Sequence, residues 1–208
     1  MATDPPLVFI VDDDPSVRKS LARLARTAGY EVEVFGSARE FLARPQQDRP
    51  CCLVLDVRMP GLTGLELQAA LATAGRRWSI VFITGYGDVR TGVKAMQSGA
   101  TDFLTKPVND HELLGAIERA VTLARQALRE QTAAADIQAR IKALTPREVE
   151  VFALVVTGLL NKQIAAELGI GEGTVKVHRG RVMEKMRAAS VAELVRLAGQ
   201  AGVTTPKS

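Results

Sequence analysis

The chain has 208 residues, 47% of them apolar and 24% charged, which excludes a disordered or fibrous protein and fits one large domain or two small ones. No apolar run approaches the roughly 18 residues of a membrane span, no basic segment precedes the first apolar run as in a secretory leader, and Cys51 and Cys52 are strand neighbours that point to opposite faces, so a reduced, cytoplasmic protein without disulfides is expected. Residues 1–125 balance 15 Lys+Arg against 15 Asp+Glu, whereas residues 126–208 carry 12 against 8, so a neutral module is joined to a basic one, and only the second should meet a polyanion.

In chain order, Leu7–Val11 is an apolar run of strand length that ends in Asp12, Asp13 and Asp14. Asp14 before Pro15 reads as the N-cap of a helix that Gly29 stops. Glu31–Phe35 alternates like an edge strand, and Ser37 to Glu40 reads as a capping box for a second helix. Cys51–Leu55, ending at Asp56, is a third strand; Ile80–Ile83, ending at Thr84, is a fourth; Asp102–Thr105, ending at Lys106-Pro107, is a fifth. Helices fit near 64–74 and 88–98 and from 110 onward. Apolar strands alternating with helices predict a doubly wound parallel sheet covered on both faces. In the stretch 110–142, one long helix or two, Leu114, Ile117, Val121, Ala124, Leu128, Gln131 and Ala135 form a heptad-like seam. From Leu144 the pattern is all helical. Thr145-Pro146-Arg147-Glu148 starts a helix that Gly158 ends; others run 161–168 and from 172 to about 188, and Ser190 caps a fourth. Two helices around a Gly-containing turn read as a helix-turn-helix.

Chemistry in open parallel sheets collects beyond the carboxyl ends of the strands. Asp12, Asp13, Asp56, Thr84 and Lys106 all stand at predicted strand ends. Three carboxylates together either raise one another's pKa or recruit a cation. Hard oxygen ligands suit Mg²⁺, and an ammonium and a hydroxyl beside them make a place to hold a phosphoryl group. In the basic module, residues 172–187 carry Lys176, Arg179, Arg181, Lys185 and Arg187 against Glu172 and Glu184. Lys176, Arg179 and Lys185 are read as lying near one face, opposite Val175, Val182 and Met186. A basic helix after a tight turn is the geometry of a major-groove reader; a solvated basic face on a protein-binding domain is the plainer reading. His178 reads equally as a half-buried helix histidine, and Trp78 and Tyr86 as packing or loop residues.

Two stretches carry a family resemblance. Val11-Asp12-Asp13-Asp14, Leu55-Asp56-Val57-Arg58-Met59-Pro60-Gly61, Thr84-Gly85 and Lys106-Pro107 make residues 7–122 resemble a response-regulator receiver domain, with its flavodoxin-like five-stranded sheet in the order 2-1-3-4-5. The resemblance implies that Asp56 accepts a phosphoryl group from a sensor histidine kinase. It implies Mg²⁺ held by Asp12, Asp13, Asp56 and the backbone carbonyl of Arg58, and Thr84 and Lys106 on the phosphoryl oxygens. It also implies a cis Lys106-Pro107 peptide and a switch made by Thr84 and Phe103, which lacks the hydroxyl of a tyrosine and acts by packing alone. Leu144-Thr145-Pro146-Arg147-Glu148, residues 161–170 and Thr174-Val175-Lys176-Val177-His178-Arg179 make residues 144–199 resemble a LuxR-type helix-turn-helix. The whole order resembles the FixJ-like response regulators: receiver 1–122, helical linker 123–143, four-helix DNA-binding domain 144–208. By that analogy Lys176 and Val177 face base edges, and Lys162, Thr174, His178 and Arg181 lie near the DNA backbone; Arg179 and Lys185 join this set as cations of the basic helix. Gly173 and Gly180 depart from good helix formers, so this helix is expected to fray in the free protein and firm up on DNA.

The expected protein is therefore a transcription regulator, with no enzymatic activity beyond its own phosphorylation and dephosphorylation. Phosphorylation would drive homodimerisation on double-stranded promoter DNA, with RNA polymerase a further partner and no membrane. Two alternatives stand beside it. Haloacid-dehalogenase-type phosphatases also form an aspartyl phosphate, and Asp12-Asp13-Asp14 fits their Asp-x-Asp loosely; Pro15 argues that Asp14 is a cap, and Asp56 would have no role. The other is a constitutive DNA-binding protein with a purely structural receiver, which would have no need of Thr84 and Lys106.

Overall fold

A computed structural model describes residues 5–45, 49–74, 78–85 and 89–202. The chain forms two compact units, Met1–Leu128 and Arg129–Ser208. Among the described residues no helix is long and apolar enough to cross a membrane.

In the first unit, β1 (Leu7–Val11), β2 (Glu31–Phe35), β3 (Cys51–Asp56), β4 (Ser79–Thr84) and β5 (Asp102–Thr105) form one sheet in the order β2-β1-β3-β4-β5. Every neighbouring pair is parallel. The helices between and after them are α1 (Pro15–Thr27), α2 (Ala38–Ala43), α3 (Gly64–Thr73), α4 (Val89–Gln97) and α5 (Asp110–Lys142). β1 and β3 are buried along their whole length, as apolar runs between two helical layers must be. β2 is an edge strand with only Val32 buried, and Val34 is exposed although the sequence alternates. Leu21, Ala25, Leu113 and Ile117 from α1 and α5 cover one face. Phe41, Leu67 and Ala95 from α2, α3 and α4 cover the other. Cys52 belongs to the first of these cores and Cys51 to the second; both thiols are free, and burial pushes Cys51 up to about 11.

Local chemistry sets the boundaries. Asp14 caps α1, Thr63 and Glu66 form a reciprocal capping box on α3, and Gly29 takes the left-handed conformation after α1. Ser37 caps α2, but Glu40 reaches back to the amide of Gly36 and not to that of Ser37, so the box is completed one residue earlier than the pattern implied. Trp78 is a packing residue: its ring lies edge-on to Phe9 and Phe41, and the Arg44 guanidinium rests over all three. Tyr86 lies outside the described residues.

α5 is one continuous helix. Its buried line is Leu113, Ala116, Ile117, Ala120 and Val121, one residue off the expected seam at its start. Gln131 and Ala135, expected to extend that seam, are exposed. The reason is the sheet: a helix packed on a flat surface buries a broad stripe, whereas a heptad seam needs a facing helix. Residues 123–143, read as a linker, are helical to Lys142.

In the second unit, Ile137 from the tail of α5 is buried in one core with α6 (Pro146–Val156), α7 (Asn161–Leu168), α8 (Glu172–Met186) and α9 (Val191–Gln200). Thr145 and Glu148 form the expected capping box on α6, and Gly158 and Gly169 close α6 and α7 with positive φ. Val175, Val182 and Met186 are the buried face of α8. That helix ends at Met186, two residues short of the sequence expectation, because Arg187 turns left-handed at φ 53°.

Candidate functional site

The carboxyl ends of β1, β3 and β5 converge on one acidic cluster. One carboxylate oxygen from each of Asp12, Asp13 and Asp56 lies within 4.8 Å of the others. Asp12 is fully buried and engaged at every polar atom. Its amide donates to Phe35 O (3.3 Å), its carbonyl accepts from Arg18 (2.6 Å), Oδ1 accepts from the Asp14 amide (2.9 Å), and Oδ2 accepts from Lys106 Nζ (2.7 Å). Lys106 also reaches Asp56 Oδ1 at 3.1 Å, and the Arg58 amide donates to Asp56 Oδ2 at 3.2 Å. Asp13 is exposed at the mouth.

The electrostatics follow from burial. Asp56 is held above the usual carboxylate range because it is buried; the Lys106 ammonium opposes that shift and Asp12 adds to it. Burial alone would lower Lys106, but Asp12 and Asp56 outweigh it and hold the ammonium charged. A cluster of hard oxygen donors with one exposed member is a site a divalent cation fits. Asp14 takes no part. Its Oδ1 accepts from the hydroxyl and amide of Ser16 (2.6 and 2.7 Å) and from Val17, and these bonds hold its carboxyl low. That leaves the phosphatase pattern without its second acid.

Thr84 ends β4, is buried, and accepts the Lys106 amide on its carbonyl (2.7 Å). Lys106-Pro107 is a cis peptide, as the resemblance implied. Phe103 is half-buried with its ring centroid 6.4 Å from that of Phe82; a side chain at Gly92 of α4 would stand 3.3 Å from it. Arg18 and Gly64 had no expected role. Arg18 lies one helical turn beyond the cap Asp14, which was the available signal. Gly64 opens α3 so close to β3 that a Cβ there would come 2.3 Å from the Asp56 carbonyl oxygen, a contact no pattern in the sequence announces.

The basic residues of the second unit divide. Lys162, Thr174, Lys176, Val177 and Arg181 are exposed on α7 and α8, Val177 at 53%. His178 is half-buried, with a buried Nδ1 that finds no partner among the described residues. Arg179 is also half-buried and donates to Asn161 Oδ1 (2.8 Å), tying α8 to α7. Lys185 does not stand with Lys176. Nine residues at about 100° each place it roughly half a turn away, where it bonds the buried Glu148 (2.6 Å) and the carbonyl of Ala143 (3.1 Å). Lys185 and the Thr145 amide hold Glu148 down to about 2.

Comparison with known proteins accounts for both units. Residues 8–118 match the family described as response regulator receiver domain, and residues 142–198 match bacterial regulatory proteins of the luxR family. The chain is 50% identical over 198 residues to nodulation protein W of Bradyrhizobium diazoefficiens, covering 95% of this chain and 87% of that one. It is 43% identical over 196 residues to the transcriptional regulatory protein FixJ of the same organism, covering 94% and 96%. A solved structure of the response regulator StyR, 45% identical, covers 94% of this chain and 99% of its own with a TM-score of 0.85; full-length FixJ from B. japonicum, 41% identical, covers 98% and 100% with 0.56.

Proposed function

The chain belongs to the response regulators that join a receiver domain to a LuxR-type DNA-binding domain, and from that membership we propose how its own residues carry the signal. Asp56 is the phosphoacceptor. A carboxylate oxygen of Asp56 bonds to the phosphorus of a phosphohistidine on the sensor kinase; the P–N bond breaks and the imidazole leaves with a proton. Lys106, already bridging Asp12 and Asp56, is the observation that carries this reading. Its ammonium stands where negative charge gathers on the transferring oxygens, and Thr84 supplies a hydroxyl beside it. Asp12, Asp13, Asp56 and the Arg58 carbonyl would hold Mg²⁺, which supplies charge neutralisation at the phosphoryl oxygens when bound. The four bonds that fix Asp12 orient this set before any ligand arrives.

Thr84 and Phe103 then repack toward the phosphoryl group, and the receiver dimerises through α4 and β5. Two α8 helices meet successive major grooves about one DNA turn apart. Lys176 and Val177 read base edges; Lys162, Thr174, His178 and Arg181 hold the backbone. Lys185 and Arg179 shape the domain from inside. Kinase, DNA and RNA polymerase are met in the cytoplasm.

The test is intact-protein mass after incubation with Mg²⁺ and a small phosphodonor, for the wild type and Asp56→Asn. A phosphoryl adduct on the wild type alone is expected. An adduct that survives in Asp56→Asn moves the chemistry to Asp12, and none on either leaves a receiver that no small donor reaches.

A further inference from the structure

Helix α8 ends on a left-handed residue that is not glycine. Gly29, Gly99, Gly158, Gly169 and Gly202 supply the left-handed residue after α1, α4, α6, α7 and α9. After α8 that position is Arg187, at φ 53° and ψ 41°, the one described non-glycine residue with positive φ. Its amide donates to Glu184 O (3.0 Å) and the next amide, of Ala188, reaches back to Met183 O (2.9 Å), so the turn itself is well made. A glycine would make the same turn without strain between Cβ and the carbonyl. No contact of the arginine side chain among the described residues offsets that strain. Arg187 is exposed, and no hydrogen bond or ion pair holds its guanidinium among the described residues. The half-buried cations of the helix, Arg179 and Lys185, are by contrast bonded to Asn161 and Glu148.

Position along the chain places this charge at the far end of α8. Arg187 follows Lys176 by eleven residues, so the left-handed turn that carries it stands about 16 Å further along the helix axis. Gly180, which has no side chain to intervene, lies between them along that axis, and a Cβ there would meet open space. The major groove is about 12 Å wide, so a helix lying in it with a cation near each end reaches toward a phosphate row at the far end as well as toward the bases at the near one.

We propose that Arg187 is a DNA-phosphate contact at the far end of the recognition helix, kept at a strained position for its charge. The proposal rests on the reading of α8 as the DNA-binding helix. Strain retained in an exposed residue with no partner among the described residues points to an intermolecular role, and a guanidinium is the side chain best shaped to a phosphate.

The test uses the full-length protein treated with Mg²⁺ and a small phosphodonor, together with R187G and R187K. Binding to a fluorescent random-sequence duplex of about 30 base pairs is followed by anisotropy over a range of salt, and each protein is melted alone. R187G should melt no lower than the wild type and bind roughly three- to five-fold more weakly at 0.15 M salt, with the slope of log K against log salt shallower by about 0.9. R187K should keep the wild-type slope. An R187G slope equal to that of the wild type overturns the phosphate contact and leaves Arg187 as a helix terminator. An R187G protein that melts lower overturns the strain on which the inference stands. A wild type that shows no salt-dependent binding overturns the DNA-binding reading itself, and the proposal with it.

Discussion

At the residue scale the receiver site depends on contacts from outside the acidic set. Gly64 is the clearest case. A methyl group at Gly64 would meet the Asp56 carbonyl oxygen at 2.3 Å and the Phe82 ring at 3.1 Å, so α3 must move away from the end of β3. Gly64→Ala should destabilise the receiver by roughly 1–3 kcal/mol and slow phosphate uptake; urea unfolding and time-resolved intact mass measure the two. In the second unit, Glu148 titrates at about 2 against an ordinary 4.5 because Lys185 and the Thr145 amide favour its charged form. A carboxyl lowered on folding stabilises the fold above its unfolded value, and that contribution fades as pH falls from about 4.5 toward 2. The melting temperature of Glu148→Gln should therefore trail the wild type near neutrality, and the gap should narrow through that window. Asp56, Thr84 and Lys106 were legible in the sequence because each ends an apolar strand. Lys185 was read as sharing a face with Lys176, although nine residues at about 100° each carry it to the opposite side of the helix.

At the scale of elements, α8 joins glycine to function. Gly173 and Gly180 face open space, so alanine at either should stabilise the free protein by about 1 kcal/mol through helix propensity alone. Thermal melts of Gly173→Ala and Gly180→Ala check this. The helix is unbroken from Glu172 to Met186, yet two glycines in a 15-residue helix should leave its amides quick to exchange until DNA covers them. Equally slow exchange with and without duplex would contradict that expectation. The starts of α1, α6 and α9 were readable from their caps, since Asp14, Thr145 and Ser190 each bond an amide two or three residues on. The buried line of α5 was not, because two adjacent leucines, Leu113 and Leu114, fit the pattern equally and only the sheet beneath selects one.

For the whole molecule, a neutral receiver and a basic DNA-binding unit share one chain, and α5 enters both cores through Ile117 and Ile137. Val89, Val93 and Met96 leave α4 with an exposed apolar face, at 78%, 50% and 45%. Burial of that face on phosphorylation would favour a dimer. Light scattering should therefore show the mass double when Mg²⁺ and phosphodonor are added, and Asp56→Asn should stay at the lower mass. An unchanged mass in the phosphorylated wild type would place the coupling somewhere other than dimerisation.

The sequence by itself determined the order of strands and helices, the caps of α1, α6 and α9, the division of charge between the halves, and the five polar residues at the strand ends. These are local properties: strand burial, capping and turn chemistry are written in neighbouring residues. Tertiary structure alone decided that Lys106 bridges Asp12 and Asp56, that Arg18 and Gly64 fix the surroundings of those acids, that Lys185 turns inward to Glu148, and that Arg187 closes α8 at a strained angle. Each of these depends on a distance that only the folded chain sets, or on a backbone angle set by how a helix meets its core, and no spacing along the sequence encodes either.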